Sequence, residues 1–265
     1  MAGCERWMNN RGYHTPELDI VIPVYNEGEN ILRVLESFKR HVTTPCRVLI
    51  CYDREEDNTL VALKGYDPHP LQLVQVRNQG WGALGAVLTG FAHSTAPCIL
   101  TFPADDDYNA SRIDQLVQEF QEGFDVVSAC RFMPGGRMEG CPLLKAVLVS
   151  SAAFFAYHIA RVPTRDASNG LRLFSRRVIE QIPVESKVGF AYSIELLVKA
   201  HRLHWPIAEV PFVWHERKAG QSRFRTLRWL PQYSRWLFYA LGTTFLRLGP
   251  RTVRLNRSNS NSIPL

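Results

Sequence analysis

No stretch of this chain offers about 20 uninterrupted apolar residues, which excludes a membrane-spanning helix of ordinary length. Met1 to Pro16 mixes charged and polar residues and lacks the apolar stretch of a secretory signal. The six cysteines, Cys4, Cys46, Cys51, Cys98, Cys130 and Cys141, form no C-x-x-C pair and show no metal-type spacing. Reduced thiols in a cytosolic protein are therefore expected. Asn109-Ala110-Ser111 matches a glycosylation acceptor, a short motif without meaning in such a chain. There is no internal repeat and no long linker. A glycine-rich loop after the first strand is also missing, which argues against a nucleotidyltransferase and against a dinucleotide fingerprint.

What is present is a chain of 265 residues, 46% hydrophobic, enough for one large domain or two small ones. Its net charge of +6 favours anionic partners: nucleotides, phosphates, acidic lipid surfaces or nucleic acid. Nucleic acid has only that net charge in its favour and is not expected. Short apolar runs predict strands at Leu18–Val24, Arg47–Tyr52, Leu71–Val76, Cys98–Phe102 and Phe124–Ala129. Helical spacing marks Glu29–Arg40, and helices also fit Ala83–Ser94 and Ser111–Gly123. Apolar strands separated by amphipathic helices imply a parallel sheet covered on both faces, an α/β Rossmann-like layer structure. Leu143–Ala160 is nearly charge-free. Phe224–Leu248 mixes Trp and Arg, the pattern of an interfacial membrane helix or of a core helix with snorkelling arginines. The polar tail Asn256–Ser262 reads as disordered.

Asp105-Asp106-Asp107 follows the run Pro97–Phe102 directly. Three carboxylates at the end of a buried strand repel one another, and desolvation disfavours them. A divalent cation makes the cluster tolerable, since Mg²⁺ and Mn²⁺ take oxygen ligands and share them with substrate phosphates. In open α/β sheets such ligands bind beyond the carboxyl ends of the strands. The other reading is a solvated acidic turn.

Three segments bracket the cluster. Pro23-Val24-Tyr25-Asn26-Glu27 ends the first strand. There Asn26 can cap the following helix, Tyr25 can stack on a base or ribose, and Glu27 can accept from sugar hydroxyls. Tyr52–Thr59 ends the second strand, with Asp53 as acceptor from a nucleobase N–H and Asp57 as a helix cap. Arg77–Gly85 follows the third strand. Its Gly80 and Gly82 permit close backbone approach, so that helix N-terminal N–H groups can face a diphosphate.

The ordered set PVYNE, YDREEDNT, RNQGWGALGA and PADDDYN resembles a family 2 glycosyltransferase of the GT-A fold. Asp166–Phe174, Glu209-Val210-Pro211, Arg217–Arg223 and Arg131–Gly136 narrow the resemblance to dolichol-phosphate mannosyltransferase and related polyprenyl-phosphate glycosyltransferases. It spans about Leu18 to Arg223. It implies an N-terminal extension over 1–17, a GT-A domain over 18–223 with a mostly parallel sheet flanked by helices, and a C-terminal amphipathic helical segment with its tail over 224–265.

Carried over residue by residue, the resemblance has Pro23, Tyr25, Glu27 and Asp53 hold the nucleoside. Asp105 and Asp107 hold Mg²⁺ or Mn²⁺ and, through it, the donor diphosphate, with Asp106 a bystander. Arg217 and Arg223 close over the diphosphate. Arg131 binds the acceptor phosphate, Ser168 and Arg172 line the acceptor side, and Lys145 stands in for a second acceptor arginine. The chain departs from the family at Pro103, where the first aspartate of D-A-D falls, and at Arg54–Thr59, so the donor base and sugar stay open.

The function implied is metal-dependent, inverting transfer from GDP-mannose or a UDP-sugar to a polyprenyl or dolichyl phosphate. The setting implied is the cytoplasmic face of a membrane, with a membrane-protein partner left open. One alternative keeps the fold but uses a saccharide or small-molecule hydroxyl, with Asp166 or Glu195 as general base. A second is a non-catalytic nucleotide-binding scaffold.

Overall fold

The structure, a computed structural model, describes residues 16–215 and 226–256. The first half alternates strand and helix as expected: β1 (Leu18–Pro23), α1 (Gly28–His41), β2 (Cys46–Tyr52), α2 (Asn58–Leu63), β3 (Gln72–Arg77), α3 (Gly82–His93), β4 (Cys98–Thr101), α4 (Ile113–Gln121) and β5 (Val126–Cys130). The second half adds β6 (Arg137–Glu139), α5 (Leu143–Phe154) running into a π turn (Phe155–Ile159), β7 (Arg172–Ser175) and α6 (Arg176–Gln181). It ends with α7 (Ala191–Arg202), β8 (Ile207–Pro211), β9 (Val213–His215) and α8 (Thr226–Phe245). Among the described residues no helix is long and apolar enough to cross a membrane.

Seven strands form one sheet in the order β3-β2-β1-β4-β7-β5-β8. All neighbours are parallel except β7, which runs antiparallel to both β4 and β5. β6 and β9 pair separately. The central strands are unbroken apolar runs because both sheet faces are covered. On one face α1 presents Ile31, Val34, Leu35 and Phe38, all fully buried at helical spacing. On the other, α3 comes so close that a Cβ on Gly90 would lie 2.4 Å from Val21 Cγ1 and 3.0 Å from Cys51 Sγ. Only glycine permits that approach. Cys46, Cys51, Cys98, Cys130 and Cys141 are unpaired, and burial pushes the first four thiols up to about 12, where they stay protonated and inert.

α8 joins the core through fully buried Trp236 and Ala240. Trp236 Nε1 donates to Ser186 Oγ at 2.9 Å, and Arg235 pairs with Glu185 at 2.7 Å. Arg202 of α7 stacks on Tyr239 at 3.3 Å and donates to Thr243 Oγ1 at 2.8 Å. The arginines and aromatics of the Phe224–Leu248 stretch are thus partly spent on internal packing.

The strand order reverses between β1 and β4, since β2 and β3 lie to one side and later strands to the other. A ligand crevice opens at such a point, outside the carboxyl ends of the strands. The acidic cluster and the segments following β1, β2 and β3 all emerge at that edge.

Candidate active site

Three backbone bonds carry the sheet pairing past the strand ends. Val24 N donates to Cys51 O at 2.9 Å, Phe102 N to Val21 O at 3.0 Å, and Asn78 N to Tyr52 O at 2.8 Å. The four loops therefore leave side by side, about 4.8 Å from one to the next. Three exposed aromatics stand on them: Tyr25 after β1, Trp81 after β3 and Tyr108 after β4. Flat apolar faces at the mouth of a crevice suit a nucleobase or sugar.

In the loop after β1, Asn26 takes the left-handed conformation (φ 55°) and does not cap α1, which corrects that expectation. Its backbone N–H points to Asp57, donating to both carboxylate oxygens at 3.1 and 3.0 Å. Asp57 also accepts from Thr59 N at 2.9 Å and caps α2 as expected. The Glu27 carboxylate accepts from Asn30 Nδ2 at 2.6 Å, and Arg33 donates to Asn30 Oδ1 at 2.6 Å while lying 3.6 Å from Asp107. Glu27 at the start of α1, then Asn30 and Arg33 within it, recur every three residues, which places them in one row. They link the β1 loop to the acidic turn. Asn30 and Arg33 escaped notice in the sequence, although the i, i+3 spacing from Glu27 marks them.

The glycine-rich loop is organised by Asn78, whose role has no signal in the sequence. Its amide donates to Asp53 Oδ1 at 2.5 Å and accepts from Gly80 N at 2.8 Å and Thr89 Oγ1 at 3.2 Å. Asp53 Oδ2 accepts from Gly82 N at 3.1 Å. The first N–H of α3 is therefore met by Asp53, not left open for a diphosphate. Gly82 sits at φ +64°, a backbone conformation that suits glycine.

The acidic turn divides its three carboxylates by role. Asp106 accepts from Tyr108 N, Asn109 N and Asn109 Nδ2 at 2.9–3.1 Å. Burial pushes its carboxyl up to about 6; those hydrogen bonds oppose the rise, and Asp105 adds to it. Asp106 thus shapes the turn. Asp105 and Asp107 flank it, half-buried. Among the described residues no group of three or more His, Cys, Asp or Glu is placed to hold a metal. Two carboxylate arms nonetheless fit a hard cation that takes its remaining ligands from water and substrate phosphate.

Asn109 clamps this turn to β9. Its amide donates to Val213 O at 2.8 Å and accepts from Val213 N at 3.1 Å, and the side chain is 3% exposed. An amide so enclosed is no glycosylation acceptor. His215 of β9 stacks on Tyr108 with ring centroids 4.0 Å apart. Next to it, Trp214 carries Lys145 of α5 over its ring at 4.3 Å.

The expected acceptor residues fare differently. Arg131 donates through Nε and Nη2 to fully buried Asp166 at 2.6 and 2.7 Å, and through Nη2 to Ser168 Oγ at 2.9 Å. Burial pulls its pKa down, but the adjacent Asp166 carboxylate outweighs this, and the Arg131 pKa rises. Any contact with a ligand must go through its Nη1.

Arg172 does not line an acceptor surface. It is fully buried, donating to Ser128 Oγ at 2.9 Å and to Ser193 O and Oγ at 2.7 Å. Burial lowers it to about 10 against the opposing charge of Asp166, so it stays protonated at neutral pH.

Asp166 and Glu195 are also unsuited to the base role. Both are fully buried; Glu195 pairs with Lys199 at 2.7 Å and accepts from Glu185 N and Ser186 N at 2.6 and 2.8 Å. Arg217 and Arg223 lie outside the described residues, as do the 1–15 extension and the 257–265 tail.

Comparison with known proteins decides the family. The profile described as Glycosyl transferase family 2 matches residues 19–183, more than half of the chain. The chain belongs to this family. Its relatives include a polyprenol monophosphomannose synthase of Mycolicibacterium smegmatis, 27% identical over 77% of this chain and 79% of the relative. Another is the dolichol-phosphate mannosyltransferase of Pyrococcus furiosus, 24% identical over 83% of this chain and 64% of that protein.

Among solved structures, glucosyl-3-phosphoglycerate synthase of Mycobacterium tuberculosis, bound to Mn²⁺, UDP and its product, aligns with TM-score 0.60 at 17% identity, covering 86% of this chain and 79% of that one. That likeness bears on fold, and it is the GT-A fold that the motifs implied. The chain is a glycosyltransferase, and divalent-metal use is a property found among its structural neighbours.

For this glycosyltransferase, Asn109→Ala is expected to leave a folded protein whose transfer rate falls about 10- to 100-fold, because the acidic turn loses its tie to β9. Steady-state kinetics on the folded variant check this. Turnover at the unaltered rate would contradict a positioning role.

Proposed function

We propose that this glycosyltransferase moves a hexosyl group from a nucleoside-diphosphate sugar to a polyprenyl or dolichyl phosphate, with inversion at the anomeric carbon. One observation carries the choice of acceptor: both carboxylates suited by sequence to act as general base, Asp166 and Glu195, are enclosed and salt-bridged. A hydroxyl acceptor needs a base. A phosphate acceptor is already anionic at neutral pH and needs none.

In this reading Tyr25 and Glu27 face the nucleoside beside Pro23. Asp53 faces it too and at the same time holds the glycine-rich loop of Gly80 and Gly82. Asp105 and Asp107 would hold Mg²⁺ or Mn²⁺ for the donor diphosphate. When bound, that ion stabilises charge on the leaving group. Arg217 and Arg223 add positive charge there, since Arg matches phosphate in fork geometry.

Lys145 and Arg131 Nη1 orient the acceptor phosphate, with Ser168 fixing the Arg131 fork. An acceptor oxygen then forms the new bond to the anomeric carbon as the bond to the diphosphate breaks on the opposite face. Orientation and electrostatics supply most of the acceleration. The lipid nature of the acceptor puts the reaction at a membrane, and we assign it to the cytoplasmic face.

A thermal-shift series with GDP and UDP, each with and without Mn²⁺, tests the donor half. A ligand that binds only the native state raises its apparent stability with concentration. The expected result is a metal-enhanced shift with one of the two. No shift from either nucleotide in the presence of Mn²⁺ would count against the donor site.

A further inference from the structure

α5 and its π turn carry their side chains inside out. Small residues, Ala146, Ala153, Ala156 and Ala160, face the domain, while Leu143, Leu144, Val147, Leu148, Phe154 and Phe155 face outward. Leu143 is 80% exposed and Leu144 74%. A helix on the surface of a soluble domain normally turns its large apolar residues inward. A continuous apolar stripe left outside marks an interaction surface. The only charged residue exposed along it, from Leu143 to Ile159, is Lys145 in the first turn.

The segments of sequence that carry this stripe and α8 hold charge of one sign. There is no Asp or Glu from Gly140 to Arg165, and none from Arg217 to Leu265. Together these stretches hold 13 of the chain's 31 Lys and Arg and none of its 25 Asp and Glu, so the rest of the chain carries 18 basic residues against 25 acidic. The whole positive balance thus resides in the two segments. They meet where Thr244 Oγ1 of α8 donates to Ala160 O at 2.6 Å. The next two residues, Phe245 and Leu246, are 64% and 72% exposed, and exposed Arg161 follows Ala160 directly.

We propose that the outward face of α5, continued by the end of α8, rests on the surface of an anionic lipid bilayer. The apolar side chains enter the acyl boundary while the arginines stand at headgroup level. Nucleic acid would answer the charge but leave the apolar stripe in water. A second copy of the chain would set exposed Lys145, Arg161 and Arg247 against like charges across a two-fold interface. An anionic bilayer satisfies both features at once. The inference touches the proposed acceptor in that a polyprenyl phosphate resides in such a bilayer and that Lys145, in the first turn of α5, is proposed to orient its phosphate.

The test is co-sedimentation of the full chain with phosphatidylcholine vesicles and with mixed phosphatidylcholine–phosphatidylglycerol vesicles. Binding is expected to the mixed vesicles, to be weaker to the neutral ones, and to fall with added salt. The double variant Phe154→Glu, Leu246→Glu changes exposed positions away from Lys145 and keeps the fold; its vesicle affinity is expected to drop about tenfold or more. Arg247→Gln is expected to lower it about fivefold.

Transfer to a detergent-dispersed acceptor should be unchanged in the double variant. Wild-type protein left in the supernatant with both vesicle types would overturn the proposal, as would a double variant that binds like wild type. So would a dimer in solution that the double variant dissociates while vesicles go unbound. Absent vesicle binding with intact transfer in detergent sinks this surface alone, and vesicle binding without transfer sinks the acceptor reading alone.

Discussion

Asp105→Asn is expected to lower hexosyl transfer by about two to three orders of magnitude. Two carboxylates flank the acidic turn, and Asp106 between them is occupied with Tyr108 and Asn109. Removing Asp105 leaves Asp107 as the one carboxylate arm of the turn for the cation that neutralises the leaving diphosphate. Stability should respond in the opposite sense. Burial chiefly raises the carboxyl pKa of Asp106 and the charge of Asp105 adds to it, so the two carboxylates repel in the native state. Neutralising Asp105 relieves that repulsion, and thermal unfolding should occur at the same temperature or slightly higher. A scaffold that kept the fold without the chemistry would show neither a rate to lose nor any consequence for nucleotide binding. Turnover near the wild-type rate in Asp105→Asn would remove Asp105 from the catalytic machinery.

The second large effect is structural. Asp166→Ala is expected to destabilise the domain by about 3–5 kcal/mol, because it strips the counter-charge from buried Arg131. Arg172 suffers as well, since its fully buried guanidinium is stabilised by the charge of Asp166. For a domain of this size, thermal unfolding should come on the order of 10 °C earlier. A general base would behave otherwise, its loss leaving the unfolding temperature in place and removing turnover alone. Calorimetry on Asp166→Ala distinguishes the two. An unchanged unfolding temperature would contradict the assignment of Asp166 to the buried network.

The parallel half of the fold was legible because its strands are unbroken apolar runs. Leu18–Val24 was expected and Leu18–Pro23 found; Arg47–Tyr52 was expected and Cys46–Tyr52 found. β7 was not legible as a strand. Its four residues include fully buried Arg172, whose partners come from Ser128 on β5 and Ser193 on α7, far away in sequence. Nothing local announces that a charged side chain will be enclosed. The same reason explains the acceptor residues. Motif order put Arg131, Ser168 and Arg172 in one neighbourhood, and the structure does bring them around Asp166, but only three-dimensional packing reveals that this neighbourhood is largely interior. Asn78 and Asn109 went unrecognised as organisers because an asparagine bridging two loops leaves no periodic trace. Asp57 could be read as a cap, since its partner Thr59 is two residues away.

The most direct test of the account is transfer itself. The full chain is incubated with Mn²⁺, polyprenyl phosphate and radiolabelled GDP-mannose, or in parallel a UDP-sugar, and label is counted in the organic-soluble fraction. The account predicts metal-dependent label in the lipid fraction with one donor, lost in Asp105→Asn. Strong transfer to a water-soluble saccharide or small-molecule acceptor, with none to the lipid, would contradict it.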